Sequence, residues 1–248
     1  MINIAVHPLF SATLADRPSP RDATASRDPL LKSLRMPADS GVAIEDSPSQ
    51  CGTSSDTSAG RWRFGAVHGE ARLATESFIA EGFLKAYGAR ITEFMPELMG
   101  LNDGPLLAAA CGLRPAAVGT LFLEQYLEHP VEQVLGHATG TTTNRNGIIE
   151  VGNLSVARPG YARHFVLWLT LHLRGIGMEW ALFSAVPALR NNFMRLGIPL
   201  VTLGPAAPER LADPVRTNWG TYYEQGPQVT AVHVATAHST LCATPCHP

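Results

Sequence analysis

Glu150-Val-Gly-Asn-Leu-Ser-Val-Ala-Arg-Pro-Gly-Tyr-Ala-Arg163 is the stretch from which the rest of the chain can be ordered. It reads as a short strand holding small residues, then a Pro-Gly loop, then the start of the most apolar helix in the sequence, Arg163–Arg174. A glycine inside a strand pattern, Gly152, implies a bulge or a close backbone approach. A loop that passes straight into a helix N-terminus offers unpaired backbone N–H groups and the positive end of a dipole, which suits a phosphate. Strand, bulge, loop and helix together make a seat for a phosphate-bearing cofactor whose reactive group lies along the strand. The plain alternative is a strand–loop–helix unit that binds nothing.

Working outward, Ala71–Gly88 carries Ile79, Phe83 and Tyr87 every four residues, with Arg72, Glu76 and Lys85 off that stripe, and is expected to be an amphipathic helix. Ile91–Leu98 is strand-like and contains Pro96; Leu106–Leu113 reads as a buried strand ending in Arg114-Pro115. Phe122–Pro130 is a short helix or loop, Thr139–Asn146 a polar loop, and Ile148–Val156 the central strand. Beyond the apolar helix, Glu179–Val186 is a second buried strand. Pro187 opens a helix with Leu189, Phe193 and Leu196 inward, stopped by Gly197. Leu200–Leu203 is a short strand, and Trp219–Tyr223 with Val229–Val234 is expected to form a hairpin. Strands and helices without a strict βαβ repeat indicate an α/β (α+β) fold with a mixed central sheet flanked by helices.

Composition sets the boundaries. Residues 1–60 are rich in Ser, Pro, Ala, Asp and Thr, with Phe10 as their only aromatic, and are expected to form a disordered extension. The folded domain then spans 61–234, and 235–248 is a flexible tail. The whole chain carries a formal charge of −2, which excludes a nucleic-acid or polybasic membrane surface. Four scattered cysteines point to a reducing compartment, and Met1–Leu14 is a poor signal peptide, so a soluble, cytoplasmic protein is expected. No run approaches the roughly 18 apolar residues needed to span a bilayer. Cys242, Cys246 and His247 have no second ligand pair nearby, so no metal is expected.

The order strand, phosphate loop, long helix, strand, then Leu189-Arg-Asn-Asn-Phe-Met-Arg-Leu-Gly197 and a closing hairpin resembles the GNAT-like acyl-CoA N-acyltransferase fold. More closely, Phe83-x-x-x-Tyr87-Gly-Ala-Arg90, Gly112-Leu-Arg-Pro-Ala116, Leu121-Phe-Leu-Glu-Gln-Tyr-Leu127, Glu150-Val-Gly-Asn-Leu154 and Trp219-Gly-x-Tyr-Tyr223 resemble the thermostable hemolysin family. That family is similar in layout to acyl-homoserine-lactone and N-acyl-amino-acid synthases. One departure stands out. The GNAT phosphate loop usually reads Gln/Arg-x-x-Gly-x-Gly/Ala, whereas Ala157 occupies the first position here and Arg158 comes one residue late. An acyl carrier protein, with a single phosphodiester, is therefore as good a donor as acyl-CoA.

The resemblance implies attack of an amine, from an amino acid or similar metabolite, on a thioester. Glu150 or Glu124 would take the ammonium proton; their structural alternatives are a strand-locking salt bridge and a surface carboxylate. Backbone amides at Asn153, Leu154 and Ser155, freed by a bulge, would hold the oxyanion. Tyr222 or Tyr223 would protonate the leaving thiolate, the other packing in the core. Val156, Arg158, Gly160, Tyr161, Ala162, Asn191 and Asn192 would hold the donor's pantetheine and phosphate. Arg114 would clamp a substrate carboxylate, or else pair with one of the protein's own acids, with Gln125, Tyr126 and Trp219 beside it; packing is the readier role for Trp219, although an aromatic wall would suit an acyl chain. Two other classes compete: a membrane-lytic protein without enzymatic activity, and a catalytically inactive binding module of the same fold.

Overall fold

The computed structural model describes residues 61–243 together with the backbone of Ala5–Val6. The disordered extension expected for residues 1–60 otherwise lies outside the described residues, as do Cys246 and His247.

The five-residue strand Trp62–Ala66 would be an isolated edge without its neighbours, and the chain supplies them in order. After β1 (Ala5–Val6) come β2 (Trp62–Ala66), helix α1 (Gly69–Tyr87), β3 (Glu97–Asp103) and β4 (Leu106–Pro115). A 3₁₀ turn, Phe122–Tyr126, and helix α2 (Val131–Thr139) lead to β5 (Ile148–Val156), α3 (Tyr161–Gly175) and β6 (Trp180–Ala185). Then follow α4 (Pro187–Arg195), β7 (Val201–Pro205), α5 (Asp213–Thr217), β8 (Gln228–His233) and α6 (Val234–Ala243). The sheet order is β2-β3-β4-β5-β6-β8-β7, with β1 pairing parallel to β5 at Ser155 and Val156. All neighbours along the main path are antiparallel except β5 and β6, which run parallel because α3 crosses between them.

Period-2 alternation sorts the strand residues onto two faces. Met99, Leu101, Ile149 and Val151 turn towards α3 and α6, packing with Phe165, Leu173 and Ala237. Leu98 and Ala110 turn to the opposite face, where Ile79, Phe83 and Tyr87 of α1 cover them. Beyond that patch, Ile148 and Leu182 pack with Leu123, Val131 and Leu135. Buried Ile79, Phe83 and Tyr87 are the stripe expected of α1, and left-handed Gly88 (φ 66°) closes that helix by donating its N–H to the Leu84 carbonyl.

Three expectations are corrected. Residues 91–96 are not strand; pairing begins at Glu97 opposite Leu113, because the preceding chain approaches from above the sheet. Trp219–Tyr223 is not one arm of a hairpin: β8 pairs with β6 and β7, while Gly220 (φ 51°) presses against the end of α1 and Thr221 donates its N–H to the Tyr87 carbonyl. A β-carbon at Gly220 would stand 2.1 Å from that carbonyl oxygen. Residues past 234 do not form a loose tail up to Ala243; α6 buries Ala237 and Leu241. Among the described residues no helix is long and apolar enough to cross a membrane.

The 121–132 segment is fastened by charge. Arg145 donates from Nη1 and Nη2 to Glu124 at 2.7 and 2.8 Å, from Nη1 to Glu132 at 2.7 Å, and to the carbonyls of Ala116 and Gly119. Glu124 also accepts the N–H groups of Leu121 (2.7 Å) and Val131 (3.0 Å). The Arg145 guanidinium holds the Glu124 carboxyl down at about 2, despite partial burial. Replacing Glu124 by Gln is expected to lower unfolding free energy by about 2 kcal/mol, read from denaturant melts at pH 7. Because the folded pKa is depressed, this contribution is present above the ordinary carboxylate range and lost as pH falls towards about 2, so the difference between the two proteins should shrink in acid.

Candidate active site

Strands β5 and β6 pair only at Ile148, Glu150 and the residue between, opposite Trp180–Leu182. From there β6 stays with β8 as far as Ala185, β5 stays with β4, and the two strands part. The gap opens a cavity of about 250 Å³ that passes through the sheet. Phe83, Tyr87 and Trp219 line it on the α1 face, and Phe165, Leu173 and Ala237 line it on the α3 and α6 face.

Glu150 is the last paired residue, at the fork itself. Its side chain is buried, with Oε2 accepting the Phe122 N–H at 2.9 Å and Oε1 the Leu123 N–H at 3.1 Å. It therefore does not lock the strand through a salt bridge; it holds the 3₁₀ turn through two backbone amides. Burial pushes its carboxyl up to about 7, against the opposing pull of those amides and of the nearby Arg114 guanidinium. Arg114 stands across the β4–β5 ladder from Glu150, lines the cavity, and forms no ion pair among the described residues.

On the β5 side, Ala110 faces Ser155 and Gly112 faces Gly152, so β5 carries one extra residue over that interval. Asn153 takes it up at φ 51°, the only non-glycine residue with positive φ among those described. The bulge expected at Gly152 thus falls one residue later, and Gly152 serves instead for close approach: Met95 lies over it. The Asn153 side-chain oxygen accepts the Met95 N–H at 2.9 Å. Met95 was not singled out from the sequence, although two glycines facing each other across a ladder are a signal that something large must pass over them.

Opposite β5, the Tyr222 and Ser184 hydroxyls are 2.7 Å apart and both residues line the cavity. Burial raises the Tyr222 phenol, which stays protonated. Tyr223 does not line it; its hydroxyl pairs with that of Tyr126, and burial pushes it up to about 12. Trp219 is part of an aromatic cluster, 5.2 Å from the Tyr222 ring and 6.1 Å from Phe83. Gln125 donates to the Phe122 carbonyl, and Glu124 is taken up by Arg145, so neither faces the cavity.

A smaller slot lies between β5, α3 and α4, lined by Leu154, Val156, Ala162, Asn192 and Phe193 among others. The Asn192 side-chain nitrogen is buried there without a hydrogen-bond partner among the described residues, which marks a place for an acceptor atom. Asn191 is exposed and borders neither cavity. At the loop, the Tyr161 N–H bonds the Arg158 carbonyl and the Ala162 N–H bonds the Pro159 carbonyl. Pro159 has no N–H, so around Gly160 two amides are already engaged and a third position has none to offer a phosphate. The Tyr161 hydroxyl donates to Asp103, itself paired with Arg61, and Arg158 is exposed. Among the described residues no three His, Cys, Asp or Glu side chains are grouped to hold a metal ion.

Among solved structures, the protein is similar to FeeM, an N-acyl amino acid synthase from uncultured soil microbes, at 17% identity and a TM-score of 0.50, over 73% of this chain and 94% of that one. It is also similar to the AHL synthase LasI, at 11% identity and a TM-score of 0.50, over 75% of this chain and 96% of that one. No curated protein matches the sequence. The likeness establishes the fold as GNAT-like. The model of the thermostable hemolysin family matches residues 66–238, most of the chain, and the protein therefore belongs to that family.

Proposed function

We propose that the protein is an N-acyltransferase that moves an acyl group from a pantetheine thioester to the amine of an amino acid or similar small metabolite. The observation that carries this reading is the continuity of the cavity through the strand fork. It lets a thioester carbonyl lie beside Glu150 with an apolar tail on one face of the sheet and an acceptor on the other.

In this reading the tail lies among Phe165, Leu169, Leu173 and Phe183, and the pantetheine enters through the slot by Asn192. Glu150 takes a proton from the acceptor's ammonium, and a pKa near 7 keeps enough carboxylate present while remaining basic enough to act. The freed amine attacks the carbonyl carbon, the C–S bond breaks as the amide forms, the thiolate takes the Tyr222 proton, and the second proton shed by the nitrogen replaces it on Tyr222. The backbone of β5 beyond Glu150, released from β6, supplies the oxyanion's donors. Arg114, cationic and without an ion pair among the described residues, receives the acceptor's carboxylate.

The closed loop at Arg158–Ala162 favours a carrier-protein donor over coenzyme A, whose diphosphate would need the amides that the turn already uses. Mass spectrometry of the purified protein with long-chain thioesters and mixed amino acids tests the reading, and an N-acyl product is expected. No product together with leakage of pure lipid vesicles would transfer the case to the membrane-lytic reading. With the same acyl chain, kcat/KM should be higher for the carrier protein than for coenzyme A; the reverse would overturn the donor assignment.

The Glu150 carboxyl has two opposite pH signatures. Activity should rise as pH passes through about 7, and Glu150→Gln should lose that rise along with a factor of about 100 in kcat/KM. Stability should move the other way. A carboxyl raised above its ordinary value favours the fold when protonated, so its contribution is complete below the ordinary carboxylate range and is lost as pH climbs from there through about 7. The loss is on the order of 3 kcal/mol, visible as a falling Tm that Glu150→Gln flattens.

A further inference from the structure

Between the end of α1 and the start of β3 the chain runs as a loop over residues 88–96, and each residue from Arg90 to Met95 lines the cavity. It is fastened at two points. At one end the Arg90 N–H bonds the Asn218 carbonyl at 2.7 Å. At the other, the Met95 N–H bonds the Asn153 side chain, and Arg72 donates to the carbonyls of Met95 (3.1 Å) and Pro96 (2.9 Å). Among the described residues, Ile91 to Phe94 make no hydrogen bond in between.

The Met95 end is fitted to the sheet with unusual thoroughness. Gly112 and Gly152 face each other across the β4–β5 ladder and leave a trough. A β-carbon on Gly112 would come within 2.5 Å of the Met95 Cβ and 3.0 Å of the Asn153 oxygen; one on Gly152 would come within 2.4 Å of the Met95 Cε. Asn153 reaches the Met95 amide only because the bulge holds its backbone in the left-handed region, where Asn is one of the few tolerated side chains. Three positions of two strands are thus given over to seating one residue of a loop.

We propose that Met95 and Asn153 form a latch, with Asn153 a positioning residue that registers the 88–96 loop against the strand carrying Glu150. The loop is a lid over the acceptor side of the cavity, held in its middle by the packing of Ile91 and Phe94 without hydrogen bonds, and closed when Met95 sits in the Gly112–Gly152 trough. The Asn153 side chain acts through the loop and not on the reacting atoms. Its role in acceptor binding rests on the acyl-transfer reading above; its role as a latch does not.

Two readouts separate these claims. The first is amide hydrogen exchange over residues 90–95 in the full chain. Asn153→Gly keeps the backbone conformation and removes the acceptor oxygen, and should speed exchange by about tenfold, the worth of one good hydrogen bond. Asn153→Asp retains an acceptor and should stay close to the unaltered protein. Gly112→Ala places its methyl against the Met95 Cβ, which cannot turn aside, and should match Asn153→Gly; Gly152→Ala meets the flexible end of Met95 and should not. Unchanged exchange in both Asn153→Gly and Gly112→Ala would overturn the latch. The second readout is kinetic. Asn153→Gly should raise the acceptor KM by about fivefold or more with the donor KM unchanged, and Asn153→Asp should restore it. Equal changes in both KM values would overturn the lid's role at the acceptor. A chain without transfer activity whose loop still loosens in Asn153→Gly would sink the acyl-transfer reading and leave the latch standing.

Discussion

The structure depends on a single carboxylate placed where two parallel strands stop pairing. Glu150 sits at that fork with its charge out of water, and two backbone amides of the Phe122–Tyr126 turn are bonded to it. A buried charge needs such donors, and a parting of strands needs something to terminate the ladder without leaving polar groups stranded. One side chain answers both needs. The aromatic turn is drawn over the fork, Leu123 is buried beneath it, and the cavity begins where the ladder ends. The same desolvation brings the carboxyl close to neutrality, so the chemistry available there follows directly from its structural position.

Glu124 shows how much environment matters for the same functional group. It lies in a turn adjoining Glu150, yet a bidentate guanidinium holds it fully ionised and away from the cavity. From sequence the two acids are near equals, because nothing near Glu124 announces Arg145, 21 residues away. Tyr222 and Tyr223 were separable in principle, one to the cavity and one to the core, but not by the strand alternation that the sequence suggests. The turn at Tyr222 and the 3₁₀ helix that Tyr223 opens follow from Gly220 docking on the end of α1, a contact between segments more than a hundred residues apart.

The elements legible in the sequence are those whose boundaries are written locally. β5 begins and ends where its apolar run does, α4 starts at its proline and stops at Gly197, and α1 shows its buried stripe at every fourth residue. The segments that were misread, 91–96 and 219–223, share a different property: their conformation is set by what they dock onto. Pro96 marked a boundary but not which side of it was strand, and the Trp-Gly-Thr-Tyr-Tyr run has the β propensity of a strand while serving as a packed turn. Likewise the Asn192 nitrogen is legible as a polar group on a helix, while its isolation in an apolar slot is visible only in three dimensions.

Parting β5 from β6 has a mechanical consequence. The sheet is in effect two plates, β2-β3-β4-β5 and β6-β8-β7, joined edge to edge by three residue pairs and bridged by the α3 crossover. An intact parallel ladder would resist rotation of one plate against the other along its full length; here resistance is concentrated at one end, as in a pair of tongs. In the proposed reaction, an apolar chain lying in the opening would supply the contacts that the missing ladder and core would have made, and the ligand would become the part of the hydrophobic core that the polypeptide omits.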